Sequence, residues 1–190
     1  GSPPAPPTGP VPAGQRGLLP EHAVPIVGAV NGPAVTGGLE LALGCDFLVA
    51  SEQARFADTH ARVGAMPGAG LTIRLPQLVG IDRARRMSLT GDFVDARTAY
   101  EWGLVTEVVP HERLLSRARE LASAVASIPA ANVREVRRMY TEIGGLAGTE
   151  AWDRERELAE GWMAARFDSA RLAAEREVIM ARGRERTTEA

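Results

Sequence analysis

Two short apolar runs flank a pair of glycines, and this arrangement constrains the fold more than any other feature of the sequence. The runs, residues 23–30 and 46–51, are short and rich in apolar and β-branched residues. Such runs are typical of strands buried on both faces. Between them, Gly37 and Gly38 predict a turn, and residues 39–44 predict a short helix. A strand, a helix and a strand in close succession predict two parallel strands joined by a crossover.

The pattern after this unit is increasingly helical. Residues 54–58 and 105–110 predict further short strands, and the glycines and prolines of residues 64–70 predict a loop. Asp95 is the predicted N-cap of a helix whose inner face would carry Ala96, Ala99 and Tyr100. Other helices are predicted over residues 71–78 (interrupted near Pro76), 82–89, 112–127, 133–143, 152–167 and 169–182. The chain is therefore predicted to be α/β, with strands first and helices afterwards.

The length and the distribution of proline predict three regions. Residues 1–22 hold seven of the 13 prolines and predict an arm or linker, because proline cannot donate to a regular ladder of hydrogen bonds. Residues 23–110 carry the strands and predict an α/β core. Residues 111–190 predict a helical region. A chain of 190 residues is long enough to bury such a core.

Composition excludes several classes of function. A net charge of −2 gives no reason to expect a nucleic acid or an acidic membrane as partner. All 22 basic residues are arginine, so a lysine nucleophile is excluded. The single cysteine, Cys45, cannot form an internal disulfide, and we expect a reducing, cytoplasmic location. No apolar run is long enough to span a membrane. The three histidines and Cys45 lack the spacing of metal ligands, so no metal is expected.

The segment around Gly37 and Gly38 is the candidate for chemistry. The first N–H groups of a helix lack partners inside the helix and carry partial positive charge. They can bind a phosphate or stabilise an oxyanion, and the absence of the P-loop and dinucleotide-binding motifs favours the oxyanion. Glu40, in the first turn, is either a carboxylate that stabilises the helix end or a base beside a carbonyl. The spacing alone leaves both interpretations open.

Two longer stretches resemble a known family. The run VPIVGAVNGPAVTGGLELALGCDFLVASEQARFADTHARVGAMPGAGLTIRLPQLVG, together with SLTGDFVDARTAYEWGLVTEVVP, resembles the central blocks of the enoyl-CoA hydratase/isomerase (crotonase) family, from about Val24 to Pro110. The resemblance implies a spiral of strand–strand–helix repeats, closed by C-terminal helices that mediate trimer contacts. It makes residues 111–190 the predicted trimerisation region, in a homotrimer or a hexamer built as a dimer of trimers.

The resemblance also implies roles for individual residues. Gly37 would be one of two backbone donors to the oxygen of a thioester enolate, and Glu40 would activate water. The position of the family's second glutamate holds His60, which could deliver the proton instead or could mark a member that has lost hydration. Asp58 is interpreted as a loop cap. The predicted substrate-binding residues are Ala34, Gly38, Met66, Pro67 and Gly68.

The implied activity is the addition of water to a trans-2-enoyl-CoA thioester in fatty-acid metabolism, with no cofactor beyond the CoA of the substrate. The alternatives are an enoyl-CoA isomerase, an inactive acyl-CoA-binding or assembly subunit, or a helical interaction module that keeps only the scaffold. The family has a long stretch ahead of the first strand seen here, and that stretch supplies the second oxyanion donor. We therefore expect the record to begin midway, and we expect weak or no hydratase activity from this chain alone, because losing one donor costs roughly 100- to 1000-fold in rate.

Overall fold

A computed structural model describes residues 17–20, 22–144, 146 and 148–166 of the chain. The chain divides into two compact units, Gly1–Arg134 and Glu135–Ala190. Most of the proline-rich arm and the predicted last helix, residues 169–182, lie outside the described residues. The three-region division predicted from the sequence stays a prediction.

Short strands build two small sheets in the first unit. The first sheet has the order β1-β3-β6 and is parallel throughout. The second has the order β2-β4-β5, in which β2 and β4 are parallel and β5 is antiparallel to β4. The strands are β1 Val27–Val30, β2 Pro33–Val35, β3 Phe47–Ser51, β4 Arg55–Ala57, β5 Val94–Asp95 and β6 Glu107–Val109.

Helices occupy most of the described chain after β4. They are α1 Gly37–Leu43, α2 Leu71–Val79, α3 Ile81–Thr90, α4 Ala96–Glu101, α5 Leu114–Ala126, α6 Ala130–Ile143 and α7 Gly148–Arg166, with short 3-10 helices at Ala61–Val63 and His111–Arg113. The predicted strands and helices of the first unit are thus present, with boundaries shifted by a few residues.

The two sheets grow together through a repeated pattern. Strand β1 lies in the first sheet and β2 in the second; after α1, β3 returns to the first sheet and β4 to the second. In the first sheet Ala29 lies opposite Val49, and in the second Ala34 lies opposite Phe56. Each turn of the chain therefore adds one strand to each sheet, which is the strand–strand–helix repeat that the family resemblance implies.

The core of the first unit lies between the strands and helices α1 to α4. Its most deeply buried large side chains include Leu39, Phe56, Leu71, Leu75 and Met87. Burying one such side chain contributes about 1.5–3 kcal/mol to folding. Strand β3 is almost wholly buried, whereas β1 is half-buried along its whole length. The prediction that the first strand is buried on both faces is therefore wrong, because β1 forms an edge of its sheet within the described residues.

Some helical details also differ from prediction. Helix α2 continues through Pro76 instead of being interrupted there. Tyr100 is 55% exposed, so the inner face of α4 consists of Ala96 and Ala99 alone. On α5, Leu114 and Ala118 are buried but Leu115 is 61% exposed. For Tyr100 and Leu115 the reason is that each helix touches its neighbours along a narrower strip than its apolar stripe suggests.

Candidate active site

The chain makes its tight bend at Thr36, one residue before the glycine pair. Thr36 has φ of 53°, and it is the only residue other than glycine with positive φ among those described. Its N–H donates to the carbonyl of Ala57 on β4 (3.1 Å), and its hydroxyl contacts the hydroxyl of Thr59 (3.0 Å). These contacts hold an unfavourable backbone conformation in place. The predicted turn at Gly37 and Gly38 is therefore wrong: both glycines are the first residues of α1.

The first N–H groups of α1 are available to a ligand. Neither the Gly37 nor the Gly38 N–H has a hydrogen-bond acceptor within the described part of the chain. A Cβ atom added at either glycine would meet nothing within 4 Å. The glycines thus leave open space at their own Cα atoms, next to two helix-end donors that an incoming carbonyl oxygen would need.

Glu40 is buried beside this helix end. Only 5% of the residue is exposed. Its Oε1 accepts hydrogen bonds from the backbone N–H groups of Gly68 (3.1 Å) and Ala69 (2.7 Å) in the loop before α2. Two backbone donors and a position in the first turn of a helix offset part of the cost of burying a carboxylate. The charge is therefore held in place by the main chain and not by a counterion at Oε1.

His60 stands between two carboxylates. Its Nε2 faces Glu40 Oε2 at 3.7 Å, and its Nδ1 lies 2.6 Å from Asp58 Oδ1. The same Asp58 oxygen accepts the backbone N–H of His60 (3.2 Å). His60 is 7% exposed and Asp58 is 1% exposed. The three side chains form a buried carboxylate–imidazole–carboxylate array, called the Glu40 array below.

The two facing atoms of the Glu40 array are partly accessible to solvent. Glu40 Oε2 and His60 Nε2 have no hydrogen-bond partner among the described residues, since 3.7 Å is too long for one. Yet no fully buried side-chain nitrogen or oxygen in the described part of the chain lacks a partner. Both atoms must therefore be reachable by a small molecule, although the residues that carry them are buried.

The predicted substrate-binding residues fall into two groups. Gly38, Pro67 and Gly68 belong to the group near Glu40: Gly38 lies two residues before it in the first turn of α1, Gly68 donates to it, and Pro67 directly precedes Gly68. Met66 is in the same loop but 75% exposed. Ala34 is 7% exposed and packs in the apolar core, where little of its side chain could touch a ligand. Their roles toward substrate stay predictions.

Asp58 makes more contacts in the site than a loop cap would. The loop-cap interpretation holds for its bond to the His60 N–H, but the shorter contact is to the imidazole ring. An aspartate two residues before a histidine is the signal that could have suggested this contact. Thr36 gave no comparable signal, because threonine rarely adopts positive φ.

Other candidate features of the first unit do not join this site. Burial raises the pKa of the Cys45 thiol, the nearby Asp46 adds to the effect, and Arg74 opposes it. A protonated thiol is a poor nucleophile, which agrees with a packing role for Cys45. Three or more His, Cys, Asp or Glu side chains in a metal-binding arrangement do not occur among the described residues. None of the described helices combines the length and apolar character needed to cross a bilayer.

Comparison with known proteins decides the family. A family model described as "Enoyl-CoA hydratase/isomerase" matches residues 16–168. The chain belongs to the enoyl-CoA hydratase/isomerase family.

Relatives of this family member match a little more than half of its length. It is 48% identical over 101 residues to "Probable enoyl-CoA hydratase 1, peroxisomal" of Arabidopsis thaliana, and 45% identical over 103 residues to "Enoyl-CoA hydratase, mitochondrial" of Pongo abelii. It is also 39% identical over 122 residues to a "Carnitinyl-CoA dehydratase" of Citrobacter koseri. These alignments cover 53%, 54% and 63% of this chain but only 38%, 36% and 47% of the relatives. The chain thus spans less than half the length of these relatives.

Solved structures confirm the fold of this hydratase/isomerase-family chain. An enoyl-CoA hydratase from Mycobacterium avium matches with a TM-score of 0.65 and 50% identity, over 77% of this chain and 66% of that one. An enoyl-CoA hydratase from Bacillus anthracis matches with a TM-score of 0.74 and 33% identity, over 84% of this chain and 60% of that one. The predicted crotonase fold is therefore confirmed.

Proposed function

We propose that the protein is a 2-enoyl-CoA hydratase in which Gly37 polarises the thioester, Glu40 is the base and His60 is the acid. The observation that carries the proposal is the 3.7 Å approach of Glu40 Oε2 to His60 Nε2, beside helix-end N–H groups that have no acceptor among the described residues. Relatives named as enoyl-CoA hydratases support the class of substrate.

Water fits the space that the facing atoms define. A water oxygen about 2.8 Å from each atom would see them at an angle of about 80°, within the range that one water can serve. The Glu40 carboxylate would accept a proton from the water. The His60 imidazolium would supply the proton that the substrate carbon takes up. The addition of water to a double bond needs one group that accepts a proton, a general base, and one that donates a proton, a general acid.

The reaction follows as four balanced events. The Gly37 N–H donates to the thioester oxygen as the Glu40 carboxylate takes a proton from water and the water oxygen bonds to Cβ. The Cα=Cβ electron pair moves toward the carbonyl and forms the enolate. The Nε2–H of a protonated His60 then gives its proton to Cα, and the carbonyl re-forms. Finally the proton on Glu40 passes to His60 Nε2, which restores both groups.

Isomerisation of the double bond is the weaker alternative. Moving a proton along one face of an acyl chain needs a single base, whereas the Glu40 array offers two facing groups. The relative named as a carnitinyl-CoA dehydratase also supports chemistry with water, because dehydration is the reverse of hydration.

The proposal extends to the setting of the enzyme. It includes a homotrimer or a dimer of trimers, a role in fatty-acid metabolism, a cytoplasmic location, and no cofactor beyond the CoA of the substrate. Large apolar side chains exposed on the first unit, among them Ile73, Leu89 and Phe93, support subunit contacts. Light scattering coupled to size-exclusion chromatography measures the oligomer.

The test of the activity combines turnover and binding. The chain and its Glu40→Gln variant are mixed with crotonyl-CoA, and loss of the enoyl-thioester absorbance is followed. We expect the chain alone to show a weak rate above buffer, slower than that of an intact family enzyme, which the variant lowers by about 100-fold or more with nearly unchanged affinity by calorimetry. Binding without a rate above the variant would favour an inactive acyl-CoA-binding subunit, and the absence of binding would favour the interaction module. Either result overturns the proposal.

A further inference from the structure

The contact between Asp58 and His60 has a role that the proposed reaction leaves unassigned. Asp58 touches neither Glu40 nor the helix-end N–H groups within hydrogen-bond distance, so it does not take part in the proton transfers themselves. It is nevertheless among the most deeply buried polar residues described, at 1% exposure. A buried carboxylate is costly unless its bonds repay the loss of water. Its two bonds both go to His60.

The two bonds hold the backbone and the ring of His60 in place. The backbone N–H of His60 anchors the main chain at the start of the 3-10 helix, and the ring Nδ1 anchors the side chain on the same oxygen. An ionised carboxylate can only accept, so the contact assigns a proton to Nδ1. The other ring nitrogen, Nε2, then points at Glu40 Oε2. One oxygen thus determines both the position of the ring and its tautomer.

We infer that Asp58 is the positioning residue of the site: it holds the His60 ring by Nδ1–H and so turns Nε2 toward Glu40 and the reacting atoms. When His60 is protonated, Asp58 and Glu40 flank the cation from both sides. When His60 is neutral, Asp58 keeps the proton on Nδ1 and leaves Nε2 free to accept. The inference rests on the proposed function for its effect on rate, but the ring geometry it describes can be measured without turnover.

The fold offers a matched comparison for this contact. The buried Ser51 hydroxyl lies 3.0 Å from Nδ1 of His111, so this chain contains a second pairing of a buried side chain with a histidine ring. Ser51 ends β3 and His111 follows β6, and neither belongs to the Glu40 array. Ser51→Ala therefore removes a part-buried contact to a histidine Nδ1 without touching the site.

The experiment uses Asp58→Asn, Asp58→Ala and Ser51→Ala with nitrogen-15-labelled histidine. Asparagine keeps an oxygen that can accept these bonds but loses the negative charge, whereas alanine loses both bonds, so the pair separates the effect of the charge from that of the contacts. Circular dichroism establishes that each variant is folded. The ring signals of His60 are assigned by their loss in His60→Gln. We expect both Asp58 variants to move the Nδ1 signal of His60 from the protonated range toward that of exchanging tautomers, and Ser51→Ala to leave it unchanged.

Kinetics supply the second readout. With crotonyl-CoA, Asp58→Asn should lower kcat by at least about 10-fold and change KM by less than about threefold, since ring orientation matters after the substrate has bound. A merely structural role would lower the fraction of folded protein and leave kcat per folded molecule unchanged.

The two readouts keep the inference separate from the proposed function. If the His60 ring signals are the same in the wild type and in both Asp58 variants, the inference is overturned whatever the activity. If they shift while the wild type does not hydrate crotonyl-CoA, Asp58 still positions His60, and only the proposed reaction fails. A shift together with unchanged kcat per folded molecule overturns the link between ring position and rate.

Discussion

The chain contains two clusters of acidic and basic side chains that differ in solvent exposure and in the groups that bind their charges. In the Glu40 array the carboxylates and the imidazole are nearly inaccessible, and backbone N–H groups hold Glu40 and Asp58. On α6 and α7, Arg138 binds Glu135 and Glu142, and Arg154 binds Glu142 and Glu157. We call this second set the surface lattice. Its ion pairs are shorter than the 3.7 Å approach of Glu40 to His60.

The difference shows that short distance is a poor guide to importance. The hydrogen bonds that Arg138 donates to Glu135 and Glu142 raise the pKa of Arg138, and the bonds that Glu142 accepts from Arg154 and then Arg138 lower the pKa of Glu142. Water and salt nevertheless screen such pairs, so each contributes little to stability. In the Glu40 array the looser contact matters more, because a group deprived of its partner there has little water to replace it.

The largest expected effect comes from deleting the Glu40 side chain. Glu40→Ala leaves the buried Ala69 N–H without its acceptor, and we expect the free energy of unfolding in urea to fall by about 2 kcal/mol. Glu40→Gln is the control, since its amide oxygen can still accept that bond, and it should lose much less stability. Equal stability of the two variants would mean that the loop amides do not depend on Glu40.

The next effect compares two glycine-to-alanine substitutions, one at the proposed ligand site and one in a helix of the second unit. Gly37→Ala places a methyl group where nothing lies within 4 Å, so the fold should tolerate it while the affinity for crotonyl-CoA falls by about 10-fold or more. Gly161 on α7 also has open space around it. Gly161→Ala should raise helix stability by about 0.5–1 kcal/mol and leave affinity unchanged. Calorimetry and thermal melting measure both, and equal affinities of the two variants would contradict a ligand at Gly37.

A smaller effect concerns Asp95, a carboxylate that is exposed like the surface lattice but bound to a backbone N–H like the Glu40 array. Asp95 is exposed, yet its Oδ1 accepts the backbone N–H of Thr98 at 2.8 Å as the cap of α4. Asp95→Ala should cost about 1 kcal/mol at pH 7. The hydrogen bonds to Thr98 lower the pKa of Asp95, so the folded state favours the ionised form. The stabilisation is therefore complete above the pKa of the unfolded chain and lost as pH falls through the lower pKa of the folded chain.

The pH dependence of unfolding checks this sign. The difference in stability between the wild type and Asp95→Ala should shrink on acidification below about pH 4. A difference that grew in acid would show that the cap bond does not favour the carboxylate.

The smallest effect is expected on the surface lattice. Arg138→Ala removes two short ion pairs on the exposed face of α6, and we expect no measurable change in melting temperature at physiological salt. Repeating the measurement at low salt sharpens the result, because only there should a small loss emerge. A large loss at physiological salt would break the contrast with the Glu40 array.

Local chemistry made much of this structure predictable from sequence. Asp95 caps its helix as predicted, because its bond partner lies three residues away. The strands came from apolar runs, and Glu40 stood out as a charge in an apolar segment. Its burial agrees with that observation.

The parts that could not be predicted depend on neighbours distant in sequence. The half-buried state of β1 follows from its place at a sheet edge, and the exposure of Leu115 follows from how narrowly α5 touches the strands. The bend at Thr36 is held by Ala57 and Thr59, which come more than twenty residues later. No local sequence pattern encodes such contacts. The sequence therefore predicts the turn at Gly37 and Gly38, because glycine is the residue that turns usually contain.

The pairing of β2 with β4 has a consequence for how this sequence can change. Val35 lies opposite Ala57, so Thr36 and Asp58 leave the sheet side by side, and Glu40 and His60 follow from there. A slip of one residue displaces a strand by about 3.3 Å and turns every side chain to the opposite face. A single insertion or deletion between Val35 and Glu40, or between Ala57 and His60, would separate Glu40 from His60 even where every amino acid was retained. Chain length in these two segments should therefore resist evolutionary drift more strongly than the identity of most residues within them.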